Sequence, residues 1–246
     1  MRVLTLNVQN DAGDPRRTGL INRVLRACAP DLVTLQEVCW PRDHLGELIA
    51  GIGLEFTTQQ AEIIGPNEFG HGTVIATRWP HRILEVVEHR GDPQWWTLAA
   101  AVEIPGGGEQ LFVVPTTPWR LEHEPAREKQ AHDITDLDAR HRTGLPTIVA
   151  GDFNAGPSSS TIRYLTQHYD DAWAVAGEGP GYTWTVDNPV AAEEIARLLS
   201  DPDHRRRIDY ILTRAPVSSV HLVGDQPVDG VWLSDHFGVL AELSAS

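Results

Sequence analysis

The stretch TIVAGDFNAGP, residues 147–157, places an acid, an aromatic residue and an amide directly after an apolar run. Residues 147–151 have the composition of a buried strand, whereas Asp152 and Asn154 have little intrinsic preference for strands. An Asp-Asn pair in a turn is often only a local hydrogen-bonding cap. Two such groups at the end of a buried strand also indicate that a ligand or a reaction uses them. Other polar residues at the ends of predicted strands distinguish a local cap from a functional site.

Apolar runs on both sides of this stretch predict an α/β fold. Seven further runs rich in Val, Ile, Leu and Thr predict strands. They are RVLTLNV (2–8), DLVTLQEV (31–38), GTVIATR (72–78), TLAAAVEI (97–104), QLFVVP (110–115), RIDYILT (207–213) and FGVLAEL (237–243). Helical patterns cover about residues 15–27, 44–52, 123–140 and 188–200, the last with Pro189 in its first turn. EIPGGGEQLF (103–112) predicts a hairpin. We expect a single domain with mixed sheets over residues 1–246.

Polar side chains stand at the ends of several of these strands. Asn7, Glu37 and Asp152 close predicted strands, whereas Asp209 and the pair Asp235-His236 open them. If the opening strands run antiparallel to the closing ones, all of these groups lie at one edge of the sheets. The pattern therefore predicts one pocket that gathers them.

Composition and charge narrow the function classes. The formal net charge of −14 argues against a surface that grips nucleic acid mainly by neutralising phosphates, although it leaves room for a local basic groove. Cys28 and Cys39 are too few for a disulfide framework and predict free thiols. The N-terminus lacks the apolar region of a signal peptide, and no stretch has the length of a membrane span. We expect a soluble, cytoplasmic protein.

Five motifs carry a resemblance to a known family. LTLNVQN, LVTLQEV, TIVAGDFNAGP, RRIDYIL and WLSDHFGVL, in this order and at these separations, resemble the endonuclease/exonuclease/phosphatase superfamily. This superfamily includes deoxyribonucleases, abasic-site endonucleases, magnesium-dependent sphingomyelinases and inositol-phosphate phosphatases. The resemblance implies a four-layer α/β sandwich, with two packed mixed β-sheets flanked by helices, and hydrolysis of a phosphoester.

The chemistry of phosphoester hydrolysis gives these side chains expected roles. Glu37, with Asn7 and Asp235, offers oxygen ligands suited to Mg²⁺ or Mn²⁺. Asp152 is the candidate general base for the attacking water, and Asn154 is expected to donate to a phosphate oxygen or to fix Asp152.

A histidine and an acid complete the expected catalytic group. His236 is expected to act as a donor to the phosphate or as an acid for the leaving group. The resemblance implies that Asp209 is its dyad partner. Taken singly, each residue is equally well explained as a cap or a solvated strand end, but Asp209 precedes an apolar strand and is expected to need a buried partner. The set as a whole favours a site.

The sequence departs from the family pattern at one catalytic position. Many relatives carry a histidine after the central strand, where this chain has Thr116 or Thr117. A threonine hydroxyl donates a hydrogen bond but carries no positive charge. Arg120 or His123 is a candidate to compensate from the adjacent loop. The aspartate that abasic-site endonucleases carry two places after the first-strand asparagine is also replaced, by Gln9.

Further residues beside the motifs are candidates for substrate contact. His71, between two glycines, is expected to face the pocket or to be an ordinary loop residue. Trp119, Trp184 and Trp232 lie in loops next to the motifs and are expected to form an apolar rim for the substrate or to pack in the core.

The sequence favours a divalent-metal-dependent hydrolase that cleaves a phosphoester of a small-molecule or lipid-like substrate. The alternatives are an endonuclease or exonuclease acting on DNA or RNA, with nucleic acid not favoured on charge, and a non-hydrolytic descendant that keeps the metal pocket for binding or other chemistry. The oligomeric state stays open.

Overall fold

A computed structural model of the chain describes residues 1–199 and 203–244. Alternating strands and helices run through it, as the apolar runs predict. The longer strands are β1 (Arg2–Asn7), β2 (Leu32–Cys39), β3 (Phe56–Gln59), β4 (His71–Thr77), β5 (His81–His89), β6 (Trp95–Ile104), β7 (Gly108–Thr116), β8 (Ile148–Asp152), β12 (Asp209–Thr213), β13 (Val217–Val223) and β14 (Gly238–Leu243). Three two-residue strands are β9 (Asp170–Asp171), β10 (Trp184–Thr185) and β11 (Arg205–Arg206).

The helices lie between these strands. They are α1 (Arg17–Cys28), α2 (His44–Ile49), α3 (Gln60–Ile64), α4 (Glu124–His141), α5 (Ser160–Leu165), α6 (Ala172–Ala176) and α7 (Pro189–Leu199), with a 3₁₀ turn at Leu121–His123. The four predicted helices correspond to α1, α2, α4 and α7, and the predicted end of the last one at Ser200 lies outside the described residues. None of the helices in the described ranges has the length and apolar composition that crossing a bilayer requires.

The strands build two mixed six-stranded sheets. Sheet I has the order β13-β14-β1-β2-β4-β3, and sheet II has the order β5-β6-β7-β8-β12-β9. Strands β6 and β7 form the predicted hairpin. The sheets pack face to face through a common core to which both contribute side chains, such as Val3 and Val239 from sheet I and Leu98, Phe112 and Ile211 from sheet II.

Helices cover the outer face of each sheet. Helices α1 and α2 pack apolar side chains against sheet I, among them Leu20, Ile21, Leu25 and Leu48. Helices α4 and α5 pack Ile134, Leu137 and Ile162 against sheet II. Because the central strands are covered on both faces, their sequences are continuous apolar runs. The predicted four-layer α/β sandwich is confirmed.

Strand directions bring the predicted site residues to one edge. Strands β8 and β12 are antiparallel, and Asp152 is the direct register partner of Asp209. Strand β1 runs parallel to β2 and antiparallel to β14, so the end of β1 lies beside the end of β2 and the start of β14. The opening and closing strands therefore run in opposite directions, as the prediction of one pocket requires.

Several residues at this edge have a left-handed backbone, among them two of the predicted site residues. Glu37 has a φ of 60° and Asn154 a φ of 51°. Glu37 lies in an irregular part of β2, where the register with β4 shifts between Leu35 and Val38. A bulge of this kind changes the direction of a side chain near the end of a strand. Here it belongs to a residue that lines the cleft described below.

Candidate active site

The centre of the site is a buried group of two acids and a histidine. The Asp209 Oδ2 atom lies 3.0 Å from His236 Nδ1, and both side chains are buried. Asp152, Asp209 and His236 each offer one potential ligand atom, and these atoms lie within 4.8 Å of one another. The sequence prediction of an Asp209–His236 pair beside Asp152 agrees with this geometry.

One oxygen of this group has no hydrogen-bond partner. Asp209 Oδ1 is buried and finds no donor among the described residues. A buried carboxylate oxygen without a donor is unfavourable in a protein interior. Such an atom is typical of a functional site at which an additional group binds.

The electrostatics of the site follow from this crowding. Burial, and then the neighbouring carboxylate of Asp209, raise the pKa of Asp152 above its ordinary value. Burial by itself would lower the pKa of His236, but the carboxylates of Asp209, Asp152 and Asp235 raise it well above the ordinary value. The site therefore holds an acid that takes up protons more readily than usual beside a histidine that is stabilised as a cation.

Asn7 connects this group to Glu37. Its Nδ2 atom donates to Glu37 Oε1 at 3.1 Å and lies 3.4 Å from Asp152 Oδ2. Its Oδ1 atom accepts the backbone N–H of Gln9 at 2.9 Å. Asn10, which is not among the predicted site residues, donates its Nδ2–H to Glu37 Oε2 at 3.2 Å. Both oxygens of Glu37 are thus oriented by amide groups.

Ser234 fixes the position of Asp235 and His236. Its Oγ atom lies 2.6 Å from the Asn7 backbone oxygen and 3.1 Å from Asp235 Oδ1. The same Oγ accepts the backbone N–H of His236 at 3.2 Å. The serine of the WLSDH motif therefore ties the start of β14 to the end of β1.

Asn154 is held by three separate hydrogen bonds. Its backbone N–H donates to Asp152 Oδ1 at 2.9 Å, so it orients the proposed base as one of the two sequence hypotheses expects. Its Nδ2–H donates to Thr117 Oγ1 at 3.1 Å, and Thr117 Oγ1 in turn donates to the backbone oxygen of Asp152 at 3.1 Å. Its backbone oxygen accepts from Arg206 Nη2 at 3.0 Å.

The two threonines in place of the family histidine have different surroundings. Thr117 braces the Asp152–Asn154 turn, as described above. The Oγ1 atom of Thr116 lies 2.6 Å from Thr73 Oγ1 and donates to Gln60 Oε1 at 3.4 Å. Thr116 therefore contacts the start of β4 and the first residue of α3.

Two cavities meet at the site. The first has a volume of about 610 Å³ and the second of about 820 Å³. Both are lined by Asn7, Glu37, Asp152 and Asn154, and Asp235 and His236 line the second. The seven predicted catalytic and metal-binding residues are thus brought together, with six of them on the wall of one cavity and Asp209 buried behind it.

The predicted substrate-contact residues differ in accessibility. His71 and Arg120 line both cavities, and Thr116 and Thr117 line the first. Trp184 lines the second cavity but is 7% exposed and packs with Ile208 in a small core cluster. Trp232 stacks on Phe237 at 6.0 Å between ring centroids.

An apolar rim surrounds the second cavity. Four large apolar side chains on its wall are well exposed: Phe69, Trp119, Leu121 and Leu198. Arg120 lies over the Trp119 ring at 5.3 Å from the centroid. Of the three tryptophans expected at the rim, Trp119 is the one with a large exposed surface. Phe69, Leu121 and Leu198 were not identified from the sequence, because a single exposed apolar residue in a loop or on a helix carries no sequence signal.

The first cavity also has a wall with unused hydrogen-bonding nitrogens. Gln60 Nε2, Trp96 Nε1 and His123 Nδ1 are buried and have no partner among the described residues. All three side chains line this cavity. His123, a sequence candidate to compensate for the missing histidine, therefore stands on the wall of the first cavity and not of the second.

The donor set fits a hard divalent cation. Glu37 and Asp235 supply carboxylate oxygens and Asn7 an amide oxygen on the wall of one cavity. These are the ligand types that Mg²⁺ and Mn²⁺ prefer. The Asp152–Asp209–His236 group is a second cluster of suitable spacing, but His236 Nδ1 is fully used by Asp209. Each oxygen of Asn7 and Glu37 that accepts an amide N–H keeps a second lone pair for a cation.

The layered fold is that of a family of metal-dependent phosphoesterases. A family model described as "Endonuclease/Exonuclease/phosphatase family" matches residues 4–236. The chain belongs to this family. Members of the family are generally phosphoester hydrolases that use divalent metals. A comparison with curated protein sequences finds no match.

Solved structures share the fold over the whole chain. A truncated Caenorhabditis elegans TDP2 is 17% identical with a TM-score of 0.76, and the alignment covers 99% of this chain and 97% of that one. D. rerio TDP2 complexed with a single-strand DNA product is 20% identical with a TM-score of 0.76, covering 100% and 99%. An endonuclease/exonuclease/phosphatase protein from Bacteroides vulgatus is 20% identical with a TM-score of 0.73, covering 99% and 98%.

Proposed function

We propose that this chain is a divalent-metal-dependent hydrolase that cleaves a phosphoester, with Asp152 activating water and the His236–Asp209 pair acting on the phosphate or the leaving group. One observation carries the proposal. Asp152 and Asp209 are register partners on adjacent strands, and the histidine that precedes β14 in the other sheet is hydrogen-bonded to Asp209. Two sheets thus contribute to one buried group of side chains, which we assign as the catalytic group.

Glu37, Asp235 and Asn7 are the residues proposed to hold Mg²⁺ or Mn²⁺. When bound, the cation would neutralise phosphate charge and favour the developing negative charge of the reaction. The Asn7 side chain would also keep Glu37 and Asp152 at a fixed separation, because its amide contacts both.

The chain's own groups account for the proton movements. Asp152 accepts a proton from the attacking water, and its raised pKa makes it a better base than an exposed aspartate. The backbone N–H of Asn154 fixes the Oδ1 atom of Asp152, so that Oδ2 is directed towards Asn7 and the cleft. His236, stabilised as a cation by the surrounding carboxylates, donates a proton from its ring towards the phosphate or the departing oxygen.

The proposed substrate is an organic phosphoester with an apolar part. Phe69, Trp119, Leu121 and Leu198 give the cleft an exposed apolar rim, and the chain has a formal net charge of −14. Both features support a small-molecule or lipid-like ester over a long polyanion.

Nucleic acid is the second candidate substrate, and two observations favour it. One structure with the same fold is a complex with a single-strand DNA product. Exposed aromatic rings such as Trp119, with Arg120 beside it, also provide a surface on which bases stack.

A substrate panel separates these candidates. Turnover of bis-p-nitrophenyl phosphate, p-nitrophenyl phosphate, a 5′-labelled single-stranded oligonucleotide and supercoiled plasmid is measured with Mg²⁺ or Mn²⁺ and after chelation with EDTA. We expect metal-dependent turnover of at least one chromogenic ester, lost in Asp152→Asn. Cleavage of the oligonucleotide without turnover of either chromogenic ester would make nucleic acid the favoured substrate. Metal binding by calorimetry without turnover of any substrate would favour a non-hydrolytic descendant.

A further inference from the structure

Three consecutive arginines precede the strand that carries Asp209, and they have different partners. Arg205 pairs with Asp187 at 2.8 Å, and Arg207 pairs with the buried carboxylate of Asp171. Arg206, between them, has no carboxylate within ion-pair distance among residues 1–199 and 203–244. Its side chain is half-buried and lines the second cavity together with Asp152 and His236.

The Arg206 guanidinium is held in place but keeps most of its donors free. Within the described chain, its one hydrogen bond runs from Nη2 to the backbone oxygen of Asn154, at 3.0 Å. A guanidinium has five N–H donors. None of the Arg206 nitrogens belongs to the buried, unpartnered atoms of the structure, whereas Nε of Arg207 does. The remaining Arg206 donors are therefore open to the cavity.

This arrangement is unfavourable for the free protein. Burial, and then the neighbouring cation of Arg127, lower the pKa of Arg206. A half-buried cation without a direct ion-pair partner is unusual, because buried charges are normally paired, and the more distant carboxylates of Asp152 and Glu124 offset these effects only in part. The hydrogen bond to the Asn154 backbone oxygen does not by itself require a charged residue at position 206, since a neutral donor of similar length could make it.

We propose that Arg206 is an anion-binding residue of the cleft that binds the non-bridging oxygens of a phosphate group placed between Asp152 and His236. A planar guanidinium matches two phosphate oxygens at once. The role rests on the proposed phosphoesterase function and adds to it a phosphate contact, which would supply the positive charge that Thr116 and Thr117 lack. It also couples phosphate binding to the Asn154 turn, which orients Asp152.

Binding of inorganic phosphate tests the role without relying on turnover. Isothermal titration calorimetry with saturating Mg²⁺ is performed on the wild-type chain, Arg206→Met, Arg206→Lys and the matched control Arg205→Met. The control removes the preceding arginine of the same short strand, whose ion pair with Asp187 lies at the surface. Circular dichroism and thermal melting establish that each variant is folded.

We expect Arg206→Met to weaken phosphate binding by about 10- to 100-fold, the effect of losing a charge-assisted hydrogen bond. Arg206→Lys should recover part of the phosphate affinity, because lysine keeps the positive charge but lacks the planar guanidinium that binds two oxygens at once. Arg205→Met should bind phosphate as the wild type does. Equal phosphate affinity in Arg206→Met and wild type, or equal losses in the 205 and 206 variants, would overturn the proposal, as would a wild-type chain that binds no phosphate.

Ester turnover separates this proposal from the proposed function. A wild type that binds phosphate through Arg206 but hydrolyses nothing in the substrate panel would refute the hydrolase and keep the anion site. A wild type that hydrolyses an ester, with KM and phosphate inhibition unchanged in Arg206→Met, would refute the anion site and keep the hydrolase.

Discussion

Replacing Asp209 by asparagine removes one negative charge 3.0 Å from His236 Nδ1 and leaves the size of the side chain unchanged. At an effective dielectric constant of about 20, two unit charges at that distance interact by about 5 kcal/mol, which is the upper limit of the loss. A hydrogen bond to a charged group contributes about 1.5–3 kcal/mol, which sets the lower limit. With about 1.4 kcal/mol per tenfold change in rate, we expect turnover to fall by roughly 10- to several thousand-fold.

The melting temperature of Asp209→Asn should change much less than its turnover. Asp209 Oδ1 is buried without a donor among the described residues, and its charge stands beside that of Asp152. Removing the charge relieves both effects but also takes away the counter-charge of His236, which, unlike an arginine, can lose its proton; the melting temperature should therefore fall less than it does when a buried arginine loses its partner. The assay is the kcat for the best chromogenic ester at saturating Mg²⁺, together with thermal melting by circular dichroism.

The matched control for this experiment is Asp171→Asn, an acid that is also buried. Asp171 lies on β9, where it pairs with Arg207 and caps α6, and its register partner on β12 is Leu212, three residues along that strand from Asp209. Breaking that pair should lower the melting temperature and leave kcat at low temperature close to that of the wild type. Turnover of Asp209→Asn within twofold of wild type would refute the catalytic dyad.

Three further perturbations test other parts of the structure. Glu37→Gln should weaken Mn²⁺ binding, measured by calorimetry, at least about tenfold, because a charged ligand becomes neutral. The control Glu47→Gln, on the exposed face of α2, should bind Mn²⁺ as the wild type does, and equal affinities in the two variants would contradict the metal assignment. Trp96→Phe should keep or raise the melting temperature, since its indole N–H has no acceptor among the described residues, whereas Trp95→Phe, which loses a 3.4 Å hydrogen bond, should lower it. Burial, and then a nearby arginine, lower the pKa of His44 to about 4 from 6.5. As the pH falls from 6.5 to 4, His44 therefore binds a proton in the unfolded chain but not in the folded chain. This difference should decrease the free energy of unfolding by about 2–3 kcal/mol over that pH window. Urea titrations at about pH 7.5 and about pH 4.5 measure this on either side of the ordinary histidine pKa, and His44→Gln should show a shallower pH dependence.

The sequence was most informative where a chemical requirement and a buried strand coincide. Asp152 and Asp209 stand at opposite ends of apolar runs, so antiparallel pairing was enough to predict that they meet. The Asp209–His236 bond followed from the resemblance and agrees with the geometry. Helices α1, α4 and α7 were predicted to within a few residues because apolar spacing marks them and because Pro189 stands in the first turn of α7.

Edge strands were missed because their burial pattern is weak. Strands β5 and β13 lie at the edges of their sheets, and most of their residues are partly buried or exposed. Polar and charged residues therefore interrupt the apolar runs from which a strand is predicted.

The different surroundings of the individual arginines could not be predicted from the sequence. In the run of residues 205–207 nothing distinguishes Arg206 from its neighbours. Its proposed role depends on its place in a two-residue strand, where it pairs with Trp184. It also depends on the lack of a carboxylate at ion-pair distance among the described residues. Asn10 and Ser234 are likewise contacts that only the folded backbone defines.

The left-handed backbone at Glu37 and Asn154 limits how the protein can be stabilised. Holding an ordinary residue in that conformation costs about 1–2 kcal/mol, less for asparagine than for glutamate. Glycine is the residue that relieves it, and at position 37 it would delete a carboxylate that lines the cleft. A search for thermostable variants that scores only folding would therefore be drawn to the substitution that removes the proposed cation ligand. Glu37 should be kept fixed in any such library.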